Sequence, residues 1–410
     1  MKSSLGFILV IVMFSSCINK KNYILSNPGS FSRTDEPLII KRASLDSTFG
    51  KDISSYYPEI LTLQGDTIPS QVDDLDGDKK WDELFFLADF GPFEKKEIII
   101  KLIDPASKPA FAARSNLRFA RVIEKGKKYE VVEKAERLRS TATELSQAAF
   151  QMEGPAWESD RVAFRNYYDA RNGIDIYGKI TRKMILDSVG MGENYHSLQW
   201  WGMDILHVGN SLGAGAIGIL EKDSLFRLDL PESANFEAVS RGPLRIIFRL
   251  TYKNWKVAER KYDLIHEIST WGGFYGYQSK VKLLGSNENS TLVSGIVNVL
   301  SDTLYVNNSI SAYISMYTHA KQAENGAFLG MGLILPNTNY IGTSSAPETG
   351  PGITQTYYAS LNVHPNIPVT YRFYAGWENA NKEFGNLYKF GKFLEVESEK
   401  MSRPIVVKAK

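Results

Sequence analysis

PLRIIFRLTY (residues 243–252) and KYDLIHEIST (261–270) decide the fold. In the first, Leu244, Ile246, Phe248 and Leu250 occupy every second position, opposite Arg245 and Arg249. In the second, Tyr262, Leu264 and His266 alternate with Asp263, Ile265 and Glu267. A period of two puts such residues on one face of a β-strand, whereas a helix repeats its apolar face every three or four positions.

Comparable patterns recur in EKKEIIIKLI (94–103), YQSKVKLLG (277–285), TLVSGIVNVL (291–300), ISAYISMY (310–317), AFLGMGLILP (327–336) and PVTYRFYAGW (368–377). Clusters of Gly, Asn, Ser and Asp separate them. Strands this closely spaced predict antiparallel sheets packed face to face. The expected fold is therefore mainly β, a large antiparallel β-sandwich of the supersandwich kind with few helices. Helical patterns are confined to part of 130–149 and to 384–400. No internal repeat, low-complexity tract or linker interrupts the chain.

The first residues, MKSSLGFILVIVMFSSC, combine a basic Lys2, an apolar run from Leu5 to Phe14 and small residues before Cys17. That run is too short to span a bilayer and reads as a secretory signal. Cys17 is the only cysteine among 410 residues, which excludes a disulfide framework. Its place after the apolar run predicts a lipidated N-terminus. The expected organisation is a lipoprotein signal over 1–16, a tether over 17–24 and a single β-sandwich catalytic domain over 25–402. INKK after Cys17 lacks an acidic export signal. An outer-membrane lipoprotein facing the periplasm, rather than the cell surface, is expected. The formal net charge of +2 gives no global pull toward nucleic acid, so cationic chemistry has to be local.

VDDLDGDKKWDELFFL (72–87) sets Asp74, Asp76 and Asp78 at alternate positions, with Asp82 four residues on. Carboxylates spaced in this way in a tight loop suit a hard cation, so a structural Ca²⁺ is expected. Lys79 stands where a turn glycine is usual, and a solvated acidic turn is the alternative. No cofactor is required for chemistry.

GPAWESDRVAFRNYYDARNGIDIYGK (154–179) interleaves rings with cations. As a strand, 161–168 would place Arg161, Ala163, Arg165 and Tyr167 on one face, and Val162, Phe164 and Tyr168 on the other. Arginine forks grip carboxylate or sulfate, and flat rings stack on sugar faces. Arg161, Arg165, Arg171, Trp157 and Tyr168 are thus candidate contacts for an anionic sugar. The competing reading pairs these arginines with Glu158, Asp160, Asp169 and Asp175 in a surface network.

GENYHSLQWWGMDILHVGNSLGAGAIGIL (192–220) holds Tyr195, His196, Trp200 and Trp201 in polar, turn-rich surroundings. Histidine transfers protons near neutral pH and a neighbouring Tyr can partner it, so His196 is the first candidate base. His207 reads as structural. GNSLGAGAIG lacks the Lys-Ser/Thr ending of a phosphate loop and reads as a turn into a strand. KYDLIHEISTWGGFYGYQSK (261–280) offers His266 as a second candidate, ahead of Trp271 and Tyr275. A hydrogen-bonded sheet histidine fits that position at least as well. No His/Cys cluster has zinc spacing and no GxSxG elbow occurs.

Four segments together, QVDDLDGDKKWDELFFLADF, FQMEGPAWESDRVAFRNYYDARNGIDIYGK, NYHSLQWWGMDILHVGNSLGAGAIG and YDLIHEISTWGGFYGYQSK, resemble a family of exported proteins catalogued as a domain of unknown function. Its members are encoded in polysaccharide-utilisation loci of Bacteroidota, and the resemblance spans nearly the whole mature chain. That family includes the ulvan oligosaccharide dehydratase, which turns a terminal uronate into its 4,5-unsaturated form. The resemblance implies elimination of water from an anionic, uronate-bearing oligosaccharide, with sulfate as a further charge. Such chemistry needs cations for the carboxylate (Arg161, Arg165 or Arg171) and a base for the C5 proton (His196 or His266). It also needs an acid for the departing hydroxyl (Tyr195, Tyr167 or Tyr275). Trp157, Tyr168, Trp200, Trp201 and Trp271 would supply ring surfaces. Two other readings share this inventory: a lyase that expels a sugar at C4, and a non-catalytic glycan-binding lipoprotein.

Overall fold

The computed structural model describes residues 19–141, 149–285 and 288–410, so the signal segment and Cys17 lie outside the described residues. Every stretch read above as a strand forms one. The two deciding stretches become Arg245–Val257 and Arg260–Trp271, adjacent and antiparallel in a nine-stranded sheet. Its order runs Lys134–Leu138, Ser233–Arg241, Arg245–Val257, Arg260–Trp271, Gly276–Leu284, Val369–Trp377, Leu329–Pro336, Tyr313–Ala320, Tyr305–Asn307. The alternation sets the layers: Ile246, Phe248 and Leu250 turn into the main core, where Tyr262, Leu264 and Ile268 meet them.

Two five-stranded sheets lie across that inner face. One contains Ser115–Arg118, Ala156–Ser159, Val162–Asn166, Ile174–Lys179 and Gly202–Asp204; the other is built around Ala214–Glu221, Ser290–Val297 and Thr356–Val363. Trp157, Phe164, Ile217 and Leu361 join the same apolar core as the large sheet, which makes the fold a mainly antiparallel sandwich. GNSLGAGAIG opens the strand Ala214–Glu221, as expected. At Gly215 the backbone has φ +87° and a Cβ would lie 2.5 Å from the Tyr277 hydroxyl, so glycine meets both a conformational and a steric demand.

The outer face of the large sheet is covered as well. The helix Leu387–Ser402 lays Phe390 and Leu394 on it. Gly330 admits that helix, because a Cβ there would stand 2.5 Å from the Phe390 ring. The remaining outer surface meets an N-terminal pair of sheets with a separate core of Leu25, Leu38, Leu84, Ile98 and Ile100. Arg245, on the face opposite the apolar one, is consequently buried against Asp73 and Glu83. Val406–Ala409 pairs with Lys20–Ser26, so ordered structure runs past residue 402.

One expectation meets a mixed outcome, since Arg139–Thr141 form a single 3-10 turn. Part of 130–149 reads as helical, yet its beginning forms the strands Lys128–Val131 and Lys134–Leu138. Pairing of Lys134–Leu138 with Ser233–Arg241 buries Arg137, and that tertiary gain outweighs the modest helix propensity of the segment. Residues 142–148 lie outside the described residues.

Candidate functional site

Three neighbouring strands build the most highly charged buried cluster described here. Val162–Asn166 pairs with Ile174–Lys179, placing Arg165 opposite Asp175. Ile174–Lys179 also pairs with Gly202–Asp204, placing Tyr177 opposite Asp204. Because side chains alternate, Arg165, Tyr167, Asp175, Tyr177 and Asp204 share the face turned away from the main core. Val162 and Phe164 lie on the core side, as the alternation predicts. The segment carrying Tyr195 and His196 folds over the polar face and is held there by the Asp204 amide donating to the Tyr195 carbonyl at 2.8 Å. Beneath it, Ile185, Leu186, Val189 and Trp201 pack on Ala163 and Tyr177.

Arg165 organises this cluster. Its guanidinium donates to Asp175 Oδ2 at 2.7 Å and to the Tyr167 hydroxyl at 2.7 Å, and lies 3.6 Å from Asp204 Oδ2. The Tyr195 hydroxyl is 3.5 Å from Arg165 Nη1. Tyr167 donates to Asp175 at 3.1 Å, and Arg171 lies 4.0 Å above its ring centroid while pairing with Asp169 and Glu153. His196 sits on the rim with 63% of its side chain exposed and Nδ1 3.4 Å from Asp204 Oδ2. Burial raises the Asp204 carboxyl well above the usual carboxylate range, and the neighbouring Asp175 carboxylate adds to the rise. Burial likewise raises the Tyr195 and Tyr167 hydroxyls, so both hold their protons. Beside the cluster opens a cavity of 200 Å³ bounded by Lys125, Tyr129, Gln151, Glu153 and Tyr195.

His196, Tyr195, Tyr167, Arg165 and Arg171 are therefore brought together, and Trp200 is exposed. Other expectations need correction. Arg165 is 2% exposed with its fork engaged by Asp175, so it orders the site instead of gripping a substrate carboxylate. Trp157, Tyr168 and Trp201 are buried: Trp157 packs among Phe164, Phe248 and Tyr277, Tyr168 donates to the Ala234 carbonyl, and Trp201 to Glu193. None offers an open face to a sugar. His266 is enclosed in the main sheet against Ser279 at 2.9 Å, and burial depresses it to about 3, which removes it as a base for this cluster. Trp271 is also buried, stacked on Phe274 at 4.2 Å. With Tyr275 and Arg161 it reaches a different cavity, apart from the histidine. The pairing foreseen for the arginines with Asp169 and Asp175 is present, fully buried at Arg165–Asp175 and partly exposed at Arg171–Asp169.

Sequence reasoning missed Asp204, Glu153 and Tyr177. The strand pairing that aims Asp204 at His196 is tertiary, and MDILHVG carries no local sign of it.

In the acidic loop, Asp74, Asp76 and Asp78 each bring a carboxylate oxygen within 4.8 Å of the others. Asp82 does not join them; it accepts from the Leu75 amide at 2.8 Å and closes the loop base. Three oxygen donors suit a hard cation and would fill part of its shell.

Residues 25–407 match the family described as a domain of unknown function, DUF4861, and the chain belongs to that family. It is similar to Uncharacterized protein P7 of Formosa agariphila, at 23% identity over 426 residues covering 98% of both chains. Among solved structures it resembles an alpha-mannosidase from Enterococcus faecalis V583 (TM-score 0.48, 9% identity) over 95% of this chain and 46% of that one. A glycosyl hydrolase family 38 protein from Enterococcus faecalis gives TM-score 0.45 at 8% identity, over 95% and 47%. The chain spans about half the length of these two proteins.

Proposed function

We propose that the protein is a carbohydrate-active carbon–oxygen lyase, a dehydratase that removes water from the non-reducing-end uronate of ulvan-type oligosaccharides. One observation carries this reading: His196 is exposed, while its Nδ1 edge faces a buried carboxyl that a second carboxylate and Arg165 hold in place. That arrangement directs Nε2 outward as a base. In the reaction His196 takes the C5 proton, the C5–H electron pair forms the C4–C5 double bond, and the C4–O bond breaks. The Tyr195 hydroxyl protonates the departing oxygen, and water leaves. Arg171 and Lys125 stand at the site's edge to offset the charge that builds on the uronate carboxylate. The sequence further supports export as a lipoprotein anchored through Cys17, facing the periplasm.

Incubation with uronate-terminated oligosaccharides tests the reading through ultraviolet absorbance of the conjugated enoate. Mass spectrometry should show one water lost and no shortening of the chain; a shortened product would assign a lyase that expels a sugar. His196→Ala should abolish the absorbance rise while leaving the circular dichroism and unfolding midpoint unchanged, since the side chain is on the rim. Wild-type turnover in that variant would remove His196 as the base.

A further inference from the structure

A second cavity, of 180 Å³, lies between the strand Arg33–Lys41, the loop after Trp271 and the helix Leu387–Ser402. It shares no lining residue with the histidine cluster. Arg161 and Arg372 reach it, and the Arg161 fork is poorly satisfied. Arg161 Nε is buried without a hydrogen-bond partner, its Nη1 meets only the Tyr275 hydroxyl at 3.4 Å, and its nearest carboxylates are 3.9 Å away. Arg372 rests over the Trp271 ring at 5.0 Å, donates to Gln278 at 3.3 Å and hydrogen-bonds the Tyr374 hydroxyl, with Glu397 and Glu36 adding to the field around it.

The carboxylates in the same wall are committed elsewhere. Asp35 is held by two nitrogens of Arg114 at 2.5 and 2.9 Å. Glu36 is paired with Arg33 at 2.6 Å, and Glu397 with Lys400 at 2.6 Å. Two guanidinium groups thus face a partly open cavity, and the buried Arg161 Nε has no partner there, which is costly. From this we infer that the cavity is a second binding site, in which Arg161 and Arg372 receive a compact oxyanion borne on a sugar. Its volume would take about six waters at some 30 Å³ each, enough for a charged group and its ring but not for a chain. Planar forks favour carboxylate and sulfate alike.

Calorimetric titration of the mature protein with sodium sulfate, glucuronate and glucose, in wild type and variants, tests this. Saturable binding of sulfate or glucuronate, but not glucose, is expected in wild type. It should weaken at least ten-fold in Arg161→Gln and in Arg372→Gln. Stronger sulfate binding would assign a sulfate ester, and stronger glucuronate binding a uronate carboxylate. Should Arg372→Gln fail to fold, Arg161→Gln decides, its side chain being 18% exposed. Undiminished sulfate binding in Arg161→Gln, or no saturable binding of either oxyanion, overturns the inference. Because enoate formation does not enter this readout, the proposed reaction and this site can fail separately.

Discussion

Asp204 and Asp175 are two acids within reach of one arginine, and water is excluded from both. Coulomb repulsion at low dielectric disfavours two charges there, so Asp204 keeps a proton. The linkage sign follows. A carboxyl whose folded value is raised contributes stability that is full below its unfolded value of 3.8 and is lost as pH rises through the folded one. Asp204→Asn, which cannot ionise, should therefore gain stability over wild type as pH rises from 5 to 8, measured by urea unfolding. An advantage that shrinks over that range would contradict a protonated Asp204. At this scale the sequence was partly readable. Alternation placed Arg165 and Tyr167 on one face correctly, but whether a fork is free depends on Asp175 across the hairpin and on burial, which spacing does not encode. Trp157 and Tyr168 teach the same lesson, since a ring beside arginines is as ready for a core as for a sugar.

Strands were the most legible elements, because hydrophobic periodicity is a local property. Their second faces were not. Arg245 alternates like a surface residue, yet the N-terminal sheets bury it, and no local pattern announces a distant layer. His266 belongs here too: it sits neutral inside the sheet, depressed to about 3 by burial. Its stabilisation is complete above the unfolded histidine range and lost as pH falls from about 6.5 toward 3. His266→Gln should then lose less stability than wild type between pH 7 and pH 4.5; an identical acid loss would count against a buried neutral imidazole. Strand Ala156–Ser159 offers a sharper test. Glu158 holds the buried Lys179 ammonium and also accepts from the amides of Ile185 and Leu186 at 2.8 and 3.0 Å. Glu158→Ala strands a charge and two donors, which should cost about 3–5 kcal/mol of unfolding free energy. A loss below about 1 kcal/mol would show the pair to be dispensable.

For the whole molecule, the acidic loop and the outer layers matter more than any one strand. If Asp74, Asp76 and Asp78 bind calcium, ligand linkage raises the unfolding midpoint with free calcium, and chelation should lower it by several degrees. Asp74→Asn should lessen the effect; an unchanged midpoint with and without chelator would remove the ion. Sheet class was readable from the sequence, whereas the association of nine strands with two smaller sheets was not. The register that joins Ser233–Arg241 to Lys134–Leu138 spans a long chain separation, and only the folded chain supplies it.

The pairing of Val406–Ala409 with Lys20–Ser26 has a practical consequence. Tyr23 lies opposite Ala409, so the first described strand and the last strand lie side by side at one sheet edge. A short Gly/Ser bridge could join Lys410 to Lys20, and fresh ends could be opened at the solvent-facing turn around Gly126, giving a circularly permuted protein. By the same geometry, a reporter appended after Lys410 would sit beside Asn22, whose carbonyl accepts from the Lys410 amide.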